Sequence, residues 1–128
     1  MMNISKAADA AGLPVKTVRY YADIGLVSPD GRSDAGYRTY DEKAVRKLAF
    51  ARRAREFGFS IEECRELLGL YEDQNRTSAE VKRIASHRLE EIRQKQEELQ
   101  KLHDELSYVV SACRGDNMPD CPIIDHFS

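Results

Sequence analysis

Apolar residues recur at helical spacing in five stretches of this chain, and the gaps between them are filled by Gly, Pro, Asp, Asn and Ser. In the first stretch Ala7, Ala8 and Ala11 share one face over residues 6–11, with Ser5 as the expected cap and Gly12 as the stop. After Gly12-Leu13-Pro14, one side of a second helix over 15–24 carries Val15, Val18 and Ala22, and Gly25 closes it. Lys16, Thr17, Arg19, Tyr20 and Tyr21 are spread over the remaining surface. Two short helices joined by a Gly-containing turn predict a helix-turn-helix unit. Pro14 sits where a side-chain cap would be expected, and Pro is acceptable in the first turn, so the helix forms without that cap.

Between residues 26 and 40 the helical period disappears. Ser28-Pro29-Asp30-Gly31 and Asp34-Ala35-Gly36 supply turns between short β-prone pieces such as Tyr37-Arg38-Thr39-Tyr40, which predicts a small wing. Asp41 then caps a helix to about residue 57, stopped by Gly58, and Ser60-Ile61-Glu62-Glu63 is a capping box for another helix to about residue 72. After the polar break at 73–76, Thr77-Ser78-Ala79-Glu80 opens the longest periodic stretch, with no Gly or Pro from Ala79 to Cys113. At 1.5 Å per residue that helix is roughly 50 Å long.

A heptad seam runs along it, with Ala85, Ile92, Leu99 and Leu106 at one position and Val81, Leu102 and Val109 at the other, broken by Arg88 and Lys95. A single exposed helix cannot bury such a seam, so a second copy of the chain is expected to. Beyond Cys113 lie turn-forming residues 114–120, Cys121-Pro122, and one last helical turn over 123–127. The expected fold is mostly α: a winged helix-turn-helix DNA-binding domain at 1–72 and a hinge at 73–77 come first. A dimerisation helix at 78–112 follows, and a loop with a terminal turn at 113–128 ends the chain.

Composition fits this picture. Charged residues make up 33% and aromatics 8%, which favours a helical protein with a solvated surface over an enzyme with a deep cavity. The net charge of −2 hides a division: residues 1–55 carry 11 Lys and Arg against 6 Asp and Glu, and the rest carry 9 against 16. The front of the chain is therefore the part suited to phosphate. No apolar run approaches the roughly 20 residues needed to span a bilayer, nor the length of a signal peptide, so a cytoplasmic location without a membrane partner is expected. In a reducing cytosol the three cysteines are expected to be free thiols, metal ligands or redox sensors.

Several runs together resemble the DNA-binding domain of the MerR family. They are Asn3-Ile4-Ser5, Val18-Arg19-Tyr20-Tyr21 ending at Gly25-Leu26-Val27, and Gly36-Tyr37-Arg38-Thr39-Tyr40. The C-terminal run from Ala112-Cys113-Arg114-Gly115-Asp116 to Asp120-Cys121-Pro122-Ile123-Ile124 is similar to the copper efflux regulator (CueR-like) subgroup of that family. The resemblance covers essentially the whole chain. It implies a homodimer with paired antiparallel long helices, bound to a palindromic double-stranded promoter site and working with RNA polymerase holoenzyme to activate copper efflux genes.

Within that frame Lys16, Thr17 and Arg19 are expected to meet the major groove, with Tyr20 or Tyr21 partly packed. Tyr37 and Arg38 in the wing, with Arg52, Arg53 and Arg55 on the third helix, are expected to grip backbone phosphate, one of these arginines being a plain surface charge.

The pair Cys113-x7-Cys121 is the second constellation. By spacing alone it could be two inert thiols, a regulatory disulfide, part of a zinc site or a sensor. Gly115 and Pro119 permit a loop that brings both sulfurs to one ion, and soft thiolates select soft metals such as Cu(I). Zinc normally takes four ligands. The resemblance selects the metal-sensing reading, with Cu(I) first and Ag(I) or Au(I) as the other monovalent candidates.

It also singles out Ser78: family members answering to divalent ions carry cysteine at that point, where paired helices would bring it to the partner's loop. A divalent zinc, cadmium or lead sensor and a thiol redox switch are the competing regulators. An enzyme would have only Cys113 with His103 or His126 to work with, and no pocket-forming domain. Cys64 is expected to be a thiol without function, and His87, His103 and His126 solvated helix residues.

Overall fold

The computed structural model describes residues 1–128. Six helices hold about two-thirds of them, and a three-stranded sheet accounts for the strands. The chain divides into two compact units, Met1–Ala85 and Ser86–Ser128. The first extends past the expected boundary at 72, because Ile84 is buried in its core and Val81 packs against it. The opening turns of the long helix therefore belong to the N-terminal unit.

Helix α1 (Ile4–Ala11) buries Ala7, Ala8 and Ala11. Its cap is Asn3, whose side chain accepts from the Lys6 N–H at 2.9 Å, and not Ser5, which lies inside the first turn. Asn3 wins because strand β1 (Met2–Asn3) holds it in extended backbone, the conformation a capping residue needs. At the other end Leu13 N–H reaches Ala8 O and Gly12 N–H reaches Asp9 O, with Gly12 at φ 74, so the turn is a Schellman closure. Helix α2 (Val15–Asp23) follows with Pro14 at its cap and no side-chain cap hydrogen bond.

The wing is the hairpin of β2 (Gly31–Arg32) and β3 (Arg38–Tyr40). Strand β3 is central, pairing antiparallel with β2 on one side and with β1 on the other, Met2 opposite Tyr40 and Asn3 opposite Thr39. Two residues are too few to show a strand period, so β1 is invisible to pattern reading. Helix α3 (Glu42–Glu56) is capped by Asp41 and buries Ala44, Leu48, Ala51 and Ala54. Helix α4 (Ile61–Glu72) opens on the complete Ser60–Glu63 capping box.

Helix C-termini leave carbonyls without intrahelical partners, and in this unit arginines from elsewhere in the chain supply them. Arg52 on α3 donates from Nε to Ala11 O at 2.9 Å. Arg65 on α4 donates to Ile24 O and Gly25 O, both at 3.1 Å, closing α2. Arg76 gathers Leu70 O, Tyr71 O and Asp73 O at the end of α4. Arg55 donates to Phe59 O at 2.6 Å across the α3–α4 turn.

Helix α5 (Ser78–Ala112) and helix α6 (Pro122–Phe127) complete the chain. Thr77 accepts from the Glu80 N–H at the start of α5. Along the part of α5 in the second unit, Leu99, Leu102 and Leu106 are exposed while Val109 is buried. The seam breakers Arg88 and Lys95 pair with Glu91 and Glu98 on the same helix.

Removing the Arg65 guanidinium strands two carbonyls at the end of α2. Charged hydrogen bonds contribute about 1.5–3 kcal/mol each, and the partial exposure of Arg65 puts Arg65→Ala at the lower end of that range. Urea unfolding at fixed protein concentration is expected to show the loss, while Arg53→Ala, outside any helix closure, is expected to unfold near wild type.

Candidate DNA-binding surface and cysteine pair

The exposed side of α2 carries Lys16, Arg19 and Tyr20, with Thr17 half-buried. Arg19 is exposed and makes no hydrogen bond or ion pair within the chain. Tyr21, one turn from Val18, goes the other way: it is 5% exposed and belongs to the core. That removes Tyr21 from the surface set, since the ring that could meet DNA is packed. Burial raises its phenol pKa, partly offset by Arg55. Tyr20 is the open member of the pair.

In the wing Tyr37 is 73% exposed and Arg38 half-buried. The hairpin tip is held by Ser33 N–H to Tyr37 O at 2.7 Å, Tyr37 N–H to Ser33 Oγ at 3.2 Å, and Arg32 Nη1 to Gly36 O at 2.8 Å. Between the wing, the start of α1 and the exposed side of α2 lies a cleft of about 640 Å³, lined by Arg19, Arg32, Arg38 and Tyr37 among others.

Three arginines converge there against one carboxylate, Asp23. The α3 arginines are less available than sequence suggests: Arg52 and Arg53 both pair with Glu56 at 2.6 Å, and Arg53 also lies over the Phe57 ring. Arg55 stays exposed with one N–H committed to Phe59.

The cysteine pair lies in the second unit. Cys113 directly follows α5, and its N–H donates to Val110 O. Gly115 at φ 63 lets the chain reverse, and the Asp116 carboxylate accepts from Met118 N–H at 2.9 Å, tightening the turn. Cys121 then caps α6, with Pro122 at the first helical position.

The result is a Cys113 Sγ to Cys121 Sγ distance of 3.8 Å, far beyond the ~2.05 Å of a disulfide. The backbone amides of Ile124 and, less strongly, Ile123 at the start of α6, with the Cys113 side chain, hold the Cys121 pKa below the ordinary thiol value, against desolvation and the nearby Asp125 carboxylate. No third His, Cys, Asp or Glu donor atom joins the two sulfurs within 4.8 Å. His126 pairs with Glu105 at 3.0 Å.

Ser78, the first residue of α5, is exposed. Cys64 is fully buried, and burial raises its thiol pKa. Sequence reasoning missed Asp23, which pairs with Arg38, and the carbonyl-closing arginines. The Asp23, Arg52 and Arg65 contacts span 15 to 41 residues, beyond the reach of local pattern.

A helix-turn-helix whose second helix presents free cations beside a basic wing defines a DNA-binding transcription regulator rather than an enzyme. Residues 2–70 match the family model of the MerR HTH family regulatory proteins, and residues 45–109 match the model described as MerR, DNA binding. The chain belongs to the MerR family.

It is 51% identical over 127 residues to the HTH-type transcriptional regulator HmrR of Rhizobium leguminosarum bv. viciae, covering 99% of this chain and 98% of that one. It is 45% identical over 127 residues to the HTH-type transcriptional regulator CueR of Salmonella typhimurium, covering 99% and 92%. The crystal structure of the transcription regulator PbrR691 from Ralstonia metallidurans CH34 in complex with lead(II) matches with a TM-score of 0.85 at 30% identity, over 100% of both chains. No helix is long and apolar enough to cross a membrane.

If Arg19 reads a base edge, Arg19→Ala is expected to weaken binding to a selected duplex by about 1–3 kcal/mol and to weaken binding to a scrambled duplex less, through the loss of one cationic charge alone. Electrophoretic shift titrations at fixed salt measure both. The thiols sort themselves by pH: a depressed pKa populates the Cys121 thiolate at lower pH than an ordinary cysteine, whereas the buried Cys64 has its pKa raised. Iodoacetamide under reducing conditions is expected to label Cys121 well before Cys64 as pH rises through neutrality, read by peptide mass spectrometry.

Proposed function

We propose that this chain is a homodimeric activator that senses a monovalent thiophilic ion, Cu(I) with Ag(I) and Au(I) as its chemical analogues, and switches on copper efflux genes. The observation that carries the reading is the donor set: two sulfurs 3.8 Å apart, with no third His, Cys, Asp or Glu donor atom within 4.8 Å of them. Two thiolates around a monovalent ion leave one net negative charge. Backbone amides are well suited to offset a single charge of that sign.

At metal–sulfur distances of about 2.3 Å, both sulfurs can touch one ion after opening by less than about 1 Å. Soft thiolates alone match a soft ion, while zinc left with two ligands lacks the four it prefers. Full-length similarity to a relative named CueR supports the copper assignment, and lead(II) in PbrR691 marks the divalent competitor.

The exposed Leu99, Leu102 and Leu106 support pairing of two α5 helices in an antiparallel coiled coil. In that pairing Ser78 of one subunit approaches the cysteine loop of its partner and contributes a hydroxyl instead of a thiolate. On palindromic double-stranded promoter DNA with RNA polymerase holoenzyme, metal binding would bend and untwist an overlong spacer, a deformation offset by protein contacts.

Promoter activation is the test, measured across Cu(I), Ag(I), Zn(II) and Cd(II) under reducing conditions. Wild type is expected to answer the monovalent ions and respond poorly to zinc. Cys113→Ser and Cys121→Ser are each expected to lose activation yet keep DNA binding, Cys64→Ser to respond normally, and Ser78→Cys to gain zinc or cadmium response. Strong zinc activation of the wild type overturns the monovalent reading.

A further inference from the structure

Asp23 occupies a position that local electrostatics disfavours twice. As the last residue of α2 it adds negative charge at the end of the helix where the backbone dipole is already negative. It also lines the cleft that Arg19, Arg32 and Arg38 make attractive to phosphate, where a carboxylate repels DNA. What it gains is one contact: Arg38 Nη2 lies 3.2 Å from Asp23 Oδ1, the one ion pair that joins the recognition helix to the wing.

Both side chains are substantially exposed, 31% for Arg38 and 57% for Asp23, so the pair shifts the wing's orientation by no more than about fivefold and contributes little to holding the fold together. Its effect is directional. A guanidinium has five N–H donors in one plane, and Asp23 engages only one nitrogen, so Arg38 can keep Asp23 and still present donors to phosphate in a fixed plane.

We propose that Asp23 is a positioning residue that raises the discrimination between operator and non-operator DNA. By tying Arg38 to the end of α2 it sets the wing against the recognition helix in the arrangement that fits a correctly docked duplex. By cancelling one positive charge in the cleft it weakens the sequence-independent attraction that any duplex enjoys. Specific binding, in which Arg38 is aligned, retains its contacts; non-specific binding, which depends on cationic charge alone, loses one.

The proposal rests on the DNA-binding role of the family. The test uses the full chain, a duplex that it selects from a random-sequence library, and a scrambled duplex of equal length, titrated across a salt series. Asp23→Asn is expected to tighten binding to the scrambled duplex and to steepen its dependence of log affinity on log salt by about 0.9, the value for one added phosphate contact. It should leave the selected duplex bound equally or less tightly, so that the specificity ratio falls by about fivefold. Asp23→Glu is expected to restore most of the ratio, and thermal melting of all three proteins to coincide.

An unchanged ratio and salt slope in Asp23→Asn overturns the proposal. So does an equal loss on both duplexes with a lowered melting point, which marks Asp23 as merely structural. Failure of the wild type to enrich any duplex overturns the DNA-binding reading itself, and this proposal with it.

Discussion

The carbonyls at the ends of short helices constrain this structure most, because a helix of eight or nine residues has nearly half its acceptors unpaired unless something else supplies donors. The N-terminal unit answers with arginine. Arg52 closes α1, Arg65 closes α2, and Arg76 closes α4, each reaching from a different place in the chain. These contacts fix where α1 stops and where α2 stops, and hence how the recognition helix is set in the unit. The buried alanines on α1 and α3 have the same consequence from the packing side, since small side chains let two helix backbones approach closely.

This use of arginine divides the chain's arginines into two populations. Arg52, Arg65 and Arg76 are occupied by carbonyls, and Arg53 by Glu56. Arg19 stands free on the recognition helix and Arg38 is aimed by Asp23, so the charge available to DNA is concentrated at α2 and the wing. Within the positive balance of residues 1–55, Arg52, Arg53 and Arg55 are committed to Ala11, Glu56 and Phe59.

Features encoded locally were legible in the sequence. The capping box at Ser60 and Glu63, the Asp41 cap, the Gly12 and Gly58 stops and the start of α5 near Thr77 all rest on residues within four positions of each other. What escaped pattern reading depends on tertiary contact. Strand β1 is too short for a period, and it moves the α1 cap from Ser5 to Asn3. Tyr21 packs inward because α2 buries the Val18–Tyr21 side instead of an Ala22-centred one. The compact unit runs to Ala85 because Ile84, which lies off the heptad seam, is buried in that core, a contact the helical period alone does not reveal. The cysteine pair was legible as a constellation, whereas the N–H groups of Ile123 and Ile124 at one sulfur needed the fold of α6.

In the cysteine loop the chain brings together two thiols beside a helix start that favours the ionised form of Cys121, with no third His, Cys, Asp or Glu donor atom within 4.8 Å of the two sulfurs. That arrangement is the centre of the account, and its most direct test is X-ray absorption at the copper edge on the purified, reduced protein loaded with one equivalent of Cu(I). Two-coordinate thiolate binding predicts a first shell of two sulfur scatterers that is lost in Cys121→Ser. A shell of three or four donors, or one containing nitrogen or oxygen, would contradict it.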